Sequence, residues 1–189
     1  RFRPGRWAPE ALILEEFPPL RELRSFQEGL FQVQDESSML VARLLAPQPG
    51  EMVLDTCSAP GGKTTHLAQL MQNQGQIIAV DVHQHKLDLV KANCCRLGVA
   101  IVETRLLDAR HLAAHYAGQC DRVLIDAPCS GLGILRRKPD AKWQKSPEQL
   151  GELQRLQRQI LQAGAACVKP GGTLVYSTCT LNPTENEGV

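Results

Sequence analysis

The sequence predicts a doubly wound α/β fold with a mostly parallel sheet. Two observations carry that expectation. From residue 50 onward, short apolar segments alternate with amphipathic helical ones, and the apolar segments end at or beside Asp55, Asp81, Asp108 and Asp126. Strands joined by helical crossovers pair in parallel. In such sheets ligands sit beyond the carboxyl ends of the strands, which is where these acids fall.

Residues 1–30 contain Pro4, Pro9, Pro18 and Pro19 and read as a loose entry segment or the remnant of a preceding subdomain, ahead of a catalytic domain over 31–189. A helix is expected over Ser37–Leu45, closed by Pro47 and Gly50. Met52–Leu54 is a short strand, Thr64–Met71 a helix, and Gln76–Val80 a second strand. The next helix, His85–Leu97, carries Leu87, Val90, Cys94 and Leu97 on one face and stops at Gly98. A strand lies within Val99–Leu107, and a fourth is Arg122–Ile125. The longest helix has Ser146 at its N-cap, Pro147 at its first position and Gln149 completing a capping box. Leu150, Leu153, Leu156, Ile160 and Cys167 form its buried stripe. It is expected to end at Lys169–Gly172, before a last strand, Thr173–Tyr176.

With 189 residues and 43% apolar content the chain suits one domain. Lys plus Arg total 21 against 20 Asp plus Glu, a net charge of +1, so any nucleic-acid contact must be a local basic patch. Seven cysteines, none in C-x-x-C spacing, speak against a disulfide framework or zinc ribbon and for a reducing, cytoplasmic setting. No apolar run has membrane-spanning length and no signal peptide is visible; the protein is expected to be a monomer. Arg1 is not Met and Val189 follows an acidic, polar stretch, so both ends are expected to be cuts in a longer protein.

Cys57-Ser58-Ala59-Pro60-Gly61-Gly62-Lys63 lies between the first sheet strand and its helix. Glycines there let a ligand approach the backbone, and the helix start offers free N–H groups. The plain alternative is a tight turn. A phosphate-binding P-loop fits poorly, because Cys57 stands where that motif needs glycine. The third reading is a nucleoside cofactor, with Asp81 on the ribose hydroxyls and Asp108 on the adenine amino group.

Asp126-Ala127-Pro128-Cys129 and Ser177-Thr178-Cys179 follow the fourth and fifth strands. Cys94, Cys95, Cys120 and Cys167 read as buried small hydrophobes. Cys129 and Cys179 instead occupy polar loops, where a reactive thiolate is placed. Carbon 5 of a pyrimidine is a weak nucleophile; a thiolate added to carbon 6 raises its electron density, and Asp126 is placed to help at ring nitrogen N3. This chemistry does not rank the two thiols.

DTCSAPGGKTTHL, DAPCSGLG, RRKPDAKW, STCTLNPTENE and VQDESS resemble, in order, the NOL1/NOP2/Sun family of RNA cytosine-5 methyltransferases, most of all its bacterial 16S ribosomal RNA methyltransferase B (Sun/Fmu) type. The resemblance covers residues 30–189. It implies a Rossmann-like methyltransferase fold using S-adenosylmethionine, cut short at its C-terminal end. It implies methyl transfer to carbon 5 of a cytosine in RNA, expected to be ribosomal, through a covalent cysteine adduct. Cys179 corresponds to the nucleophile and Cys129 to the thiol that assists release. The segment Cys57–Lys63, with Asp81, Asp108 and Asp126, corresponds to cofactor or base contacts.

Arg136, Arg137, Lys138 and Lys142 surround Trp143 beside the Pro-Cys loop. They read either as a solvated loop or as phosphate contacts with a stacking ring, and a flipped target base is expected. His83 and His85 sit near a loop, and His111 and His115 lack an acid partner, so no metal is expected. Transfer RNA as substrate, and a non-catalytic RNA-binding scaffold, are the competing functions. A DNA cytosine methyltransferase would need only the Pro-Cys thiol, and a small-molecule enzyme neither.

Overall fold

The computed structural model describes residues 1–137, 139 and 146–189. Five parallel strands form the central sheet: β3 (Met52–Asp55), β4 (Gln76–Asp81), β5 (Val102–Leu106), β6 (Cys120–Asp126) and β7 (Val168–Ser177), in the order β5-β4-β3-β6-β7. All four pairings are parallel. The chain winds outward one way through β4 and β5 and the other way through β6 and β7. The order therefore reverses between β3 and β6, where a doubly wound sheet opens its ligand crevice.

Period-2 alternation along the strands splits the core into two layers. Val53, Ile77 and Leu124 face α2 (Glu36–Leu45) and α3 (Gly62–Leu70), through Leu45 and Leu67. Leu54, Ile78, Val80, Val123 and Ile125 face the opposite way, onto Leu112 and onto Ile160 and Cys167 of α6 (Pro147–Cys167). On the first side α4 (Gln84–Leu97) seats Val90 and Cys94 against Ala79. The capping box at Ser146 and Gln149 forms as expected.

Three expectations need correction. Residues 1–30 are not loose: β1 (Phe2–Pro4) pairs antiparallel with β2 (Leu12–Leu14). Glu36 accepts from the Trp7 and Ala8 N–H groups, Glu10 bonds His66 at 2.8 Å and Arg43 at 2.8 Å, and Arg96 lies 4.0 Å over the Phe26 ring. These partners are 28 to 70 residues distant, beyond what local composition can signal. Second, β7 starts at Val168, directly after α6, and the register jumps from Cys120↔Val168 to Arg122↔Thr173. The Pro-Gly-Gly stretch, read as a loop before the strand, is thus a bulge inside it. Third, Cys95 is exposed, on the solvent side of α4. The stripe of α6 also holds a residue the apolar pattern passes over, Gln157, which is fully buried.

Ion pairs gather at the amino ends of the strands, where Glu51 takes Arg122 in a bidentate grip at 3.0–3.2 Å and Lys169 bonds Asp121 at 2.8 Å. Exposed or half-exposed pairs of this kind contribute little individually. The carboxyl ends carry a different chemistry.

Candidate active site at the carboxyl ends of the strands

The loop between β3 and α3 is shaped by its own backbone. Ser58 N–H and Oγ both donate to the Val80 carbonyl, at 2.9 and 3.0 Å, tying the loop to β4. Gly61 closes the turn at φ +101, a value L side chains avoid, and its N–H bonds Ser58 O. A Cβ at Gly62 would meet nothing within 4 Å, so the first turn of α3 opens onto free space. Its unpaired N–H groups suit a carboxylate there. Cys57 lines this loop, and burial pushes its thiol up to about 12, so it stays neutral.

Asp81 ends β4 on the same rim, its Oδ1 accepting from the His83 N–H at 2.9 Å. Asp108 follows β5 and caps a single helical turn; the Arg110 guanidinium, at 2.6–3.1 Å, holds its carboxyl below the usual range. Asp55, which ends β3, is fully buried. Its Oδ2 accepts from Thr64, its Oδ1 has no partner among the described residues, and burial pushes the carboxyl up to about 7. Asp55 thus anchors the start of α3 through Thr64.

Across the crevice, β6 and β7 present the second half of the rim. Asp126 has both oxygens engaged, Oδ2 by Lys63 Nζ at 2.7 Å and Oδ1 by Ser177 Oγ at 2.9 Å. The Lys63 contact joins the β3–α3 loop to the thiol side. Cys129 and Cys179, 50 residues apart, stand with their sulfurs 3.2 Å apart, and the Cys179 N–H donates to Cys129 Sγ at 3.3 Å. Cys179 is exposed and Cys129 half-buried. The hydrogen bond from the Cys179 thiol brings Cys129 down to about 7 against the effect of burial, helped by the Cys179 and Gly131 N–H groups. Cys179 is pushed up correspondingly, since its proton is the one held between the sulfurs. The pair thus releases one proton near neutrality and keeps the second.

Both cysteine loops rest on a buried polar cluster of Ser130, Thr180, Gln157 and Glu185, of which sequence reading identified none. Its only sequence signal was the polar tail of the STCTLNPTENE stretch. Gly133 also ties the loops, its N–H bonding the Cys179 carbonyl at 3.0 Å.

Among the basic residues, Arg136 and Arg137 are exposed and Arg137 pairs with Asp35. Lys138, Lys142 and Trp143 lie outside the described residues. His83, His85, His111 and His115 are all exposed, and among the described residues no group of three His, Cys, Asp or Glu side chains is placed to hold a metal ion. No helix among them is long and apolar enough to cross a membrane.

The sequence and the structure were compared with known proteins. The family model for 16S rRNA methyltransferase RsmB/F matches residues 42–189. A probable ribosomal RNA small subunit methyltransferase B of Bacillus subtilis is 51% identical over 165 residues, covering 87% of this chain and 37% of its own length. The ribosomal RNA small subunit methyltransferase B of Salmonella paratyphi B is 44% identical over 94% of this chain and 41% of its own. The chain thus spans about two fifths of the length of these curated relatives. Among solved structures, NSun6 from Pyrococcus horikoshii with SFG, an analogue of S-adenosylmethionine, superposes with a TM-score of 0.84 at 41% identity. That match covers 91% of this chain and 44% of NSun6. A methyltransferase homolog protein from Pyrococcus horikoshii superposes with a TM-score of 0.86 at 39% identity, covering 100% of this chain and 59% of the other. A model match over most of the chain, relatives near half identity and a shared fold lead to one conclusion: the chain belongs to the RsmB/F family of 16S rRNA methyltransferases.

Proposed function

We propose that this domain binds S-adenosylmethionine and methylates carbon 5 of a cytosine in ribosomal RNA, with Cys179 as a covalent nucleophile. The observation that carries the reading is the thiol pair, 3.2 Å between sulfurs and one proton short near neutral pH, beside the Lys63–Asp126 pair. Neither a scaffold nor a small-molecule methyltransferase needs such a pair.

The residues of the β3–α3 loop and Asp81 suit the cofactor: open space above Gly62 and free N–H groups for its carboxylate, and the Asp81 carboxylate for its ribose. Asp108 serves the adenine amino group. The cofactor supplies the methyl group. A proton passed across the sulfur contact puts the negative charge on Cys179, the more exposed thiol. Its Sγ adds to carbon 6 of a flipped cytosine, breaking the 5,6 double bond, while N3 takes a proton carried by the Lys63–Asp126 pair. Carbon 5, now electron-rich, takes the methyl group as the bond from that methyl to the cofactor's sulfur breaks. Cys129, close by, loses its proton to water once Cys179 is bonded to carbon, and as a thiolate takes the proton from carbon 5; the carbon–sulfur bond breaks, N3 returns its proton to the Lys63–Asp126 pair and the 5,6 double bond returns. Arg136 and Arg137, exposed a few residues after Cys129, would take phosphate contacts, with Lys138, Lys142 and Trp143 assigned to RNA on sequence grounds alone.

A second reading has one observation in its favour: it is Cys129 whose thiol falls to about 7. There Cys129 attacks and Cys179 assists. A denaturing gel of full-length protein with RNA and cofactor separates the two. On the first reading Cys129→Ala leaves a slow-migrating protein–RNA band and Cys179→Ala leaves none and no product. The reverse pattern exchanges the roles. Wild-type turnover in both variants, without a band, overturns covalent catalysis.

A further inference from the structure

The cluster beneath the thiols converges on one carboxylate. Glu185 is 0% exposed, yet among the described residues no cation pairs with it. Its Oε2 accepts from the Ser130 N–H at 2.8 Å and from Gln157 Nε2 at 3.0 Å, and its Oε1 from the Ser130 hydroxyl and from Asn182 Nδ2 at 3.3 Å. Because the Ser130 proton goes to Glu185, the 2.8 Å contact between Ser130 and Thr180 must be donated by Thr180. Gln157 also donates to the Pro128 carbonyl at 2.9 Å. The residues on both sides of Cys129, and the one after Cys179, are therefore each within two hydrogen bonds of Glu185. Its neighbour Asn186 completes the grip, accepting from Thr178 Oγ1 at 2.7 Å and donating to the Thr180 carbonyl at 3.2 Å. The backbone is held as well, by the Tyr176 hydroxyl on the Glu185 carbonyl at 2.9 Å.

A buried carboxylate without a cation is costly unless donors surround it. Burial pushes this carboxyl up, but Ser130, Gln157 and Asn182 outweigh burial and keep it below its ordinary value. A hydroxyl or amide would satisfy fewer donors. Nothing in the sheet needs a charge here, since β6 and β7 already pair through their backbones. What needs it is the register of two loops that come from different strands and must bring two sulfurs together.

We propose that Glu185 is a positioning residue for the reaction: through Ser130 and Thr180 its carboxylate sets the Cys129–Cys179 separation. The proposal rests on the reading of these cysteines as the reacting thiols. It makes the cluster part of the thiol site and not a packing device, and it assigns Gln157, the polar member of the α6 stripe, to the same task.

The test uses the full-length protein with its RNA and cofactor. Glu185→Ala should lower kcat about 100-fold, as an ångström-scale misplacement does, with cofactor Kd and RNA KM within about twofold of wild type. Glu185→Gln keeps one acceptor oxygen and should recover about tenfold of that loss; Ser130→Ala, which leaves the carboxylate in place, should cost about tenfold. In each variant the pH at which iodoacetamide reactivity of the pair reaches half its maximum should rise, because the sulfurs no longer share a proton. Glu185→Gln with kcat and thiol titration both unchanged overturns the proposal. So does a kcat loss matched by an equal loss of cofactor affinity, which marks a general structural role. If Glu185→Ala does not fold, Glu185→Gln and Ser130→Ala decide by the same criteria. Failure of the underlying reading shows elsewhere, as full activity in Cys179→Ala.

Discussion

The loop after β3 and the pair of loops after β6 and β7 lie on one rim, but they are held in different ways. The first is held largely at its backbone: the Ser58 N–H and hydroxyl reach 22 residues to the Val80 carbonyl, Thr56 N–H bonds the Leu124 carbonyl, Asn93 bonds the Pro60 carbonyl, and Gly61 and Gly62 supply turn and space. The second is held by side chains from three segments, Ser130 to Glu185 across 55 residues and Gln157 to Pro128 across 29. A contiguous motif can specify a cofactor cradle because the ligand is met by backbone N–H groups. A pair of thiols on two strands has no such local solution, and its geometry must be imposed by a buried polar network, which is high-stakes because each unmet partner is costly.

That contrast can be broken with two glycines. At Gly133 an added Cβ would stand 2.7 Å from the Cys179 carbonyl oxygen, so backbone has to move. Gly133→Ala should lower turnover about 100-fold while cofactor affinity stays put. At Gly62 the same Cβ meets nothing within 4 Å among the described residues. Gly62→Ala should fold normally and weaken cofactor binding about tenfold by filling ligand space. Calorimetry with cofactor alone, beside single-turnover methylation, reads both; equal losses of affinity in the two variants would show that the halves are not separable.

The thiol pair sharpens the contrast by pH. Cys129 falls to about 7 from 9 chiefly through the Cys179 hydrogen bond, so Cys179→Ala should return it toward 9. Thiolate population at pH 7 then drops about 50-fold, and the greater nucleophilicity of a more basic thiolate recovers roughly tenfold. The net expectation is alkylation of Cys129 about fivefold slower at pH 7 and roughly tenfold faster at pH 10, where the thiol is ionised in both proteins. A rate at pH 7 equal to that of the wild-type pair would mean that Cys129 is lowered by something other than its partner.

The smallest expected effect on the chemistry is at Asp55. Its carboxyl is raised to about 7 from 3.8 by burial. The folded state therefore keeps a proton that the unfolded chain has released. The stability this contributes is present at pH 4 and is lost as pH rises through 7. Asp55→Asn should flatten that decline, by about 1–3 kcal/mol between pH 5 and 8, with turnover little changed. Denaturant midpoints across that range check it, and parallel pH slopes in the two proteins would mean that Asp55 is ionised when folded.

Much of this was legible in the residues. Alternation of apolar strands with helices such as Gln84–Leu97 predicted the parallel sheet, because periodicity is a local consequence of which side each residue faces. The Asp at the strand ends and the Pro-Cys and Thr-Cys loops marked the rim, and the resemblance carried by these motifs agrees with the family the chain belongs to. The start of β7 was misjudged because Pro170-Gly171-Gly172 is ordinary turn chemistry that the sheet here absorbs as a bulge. The pairing of β1 with β2, and the seating of residues 1–30 by Glu10, His66 and Arg96, depend on partners up to 70 residues away.

The sequence alone determined the strands and helices from residue 36 to 167 and their order, since periodicity, caps and motifs are written within a dozen residues of one another. Only the tertiary structure decided how Asp55 and Asp81 differ, one fully buried and the other on the rim, and that two thiols share a proton above a buried Glu185. Burial and hydrogen-bond distance are properties of segments brought together across 50 residues or more, and no local pattern encodes them.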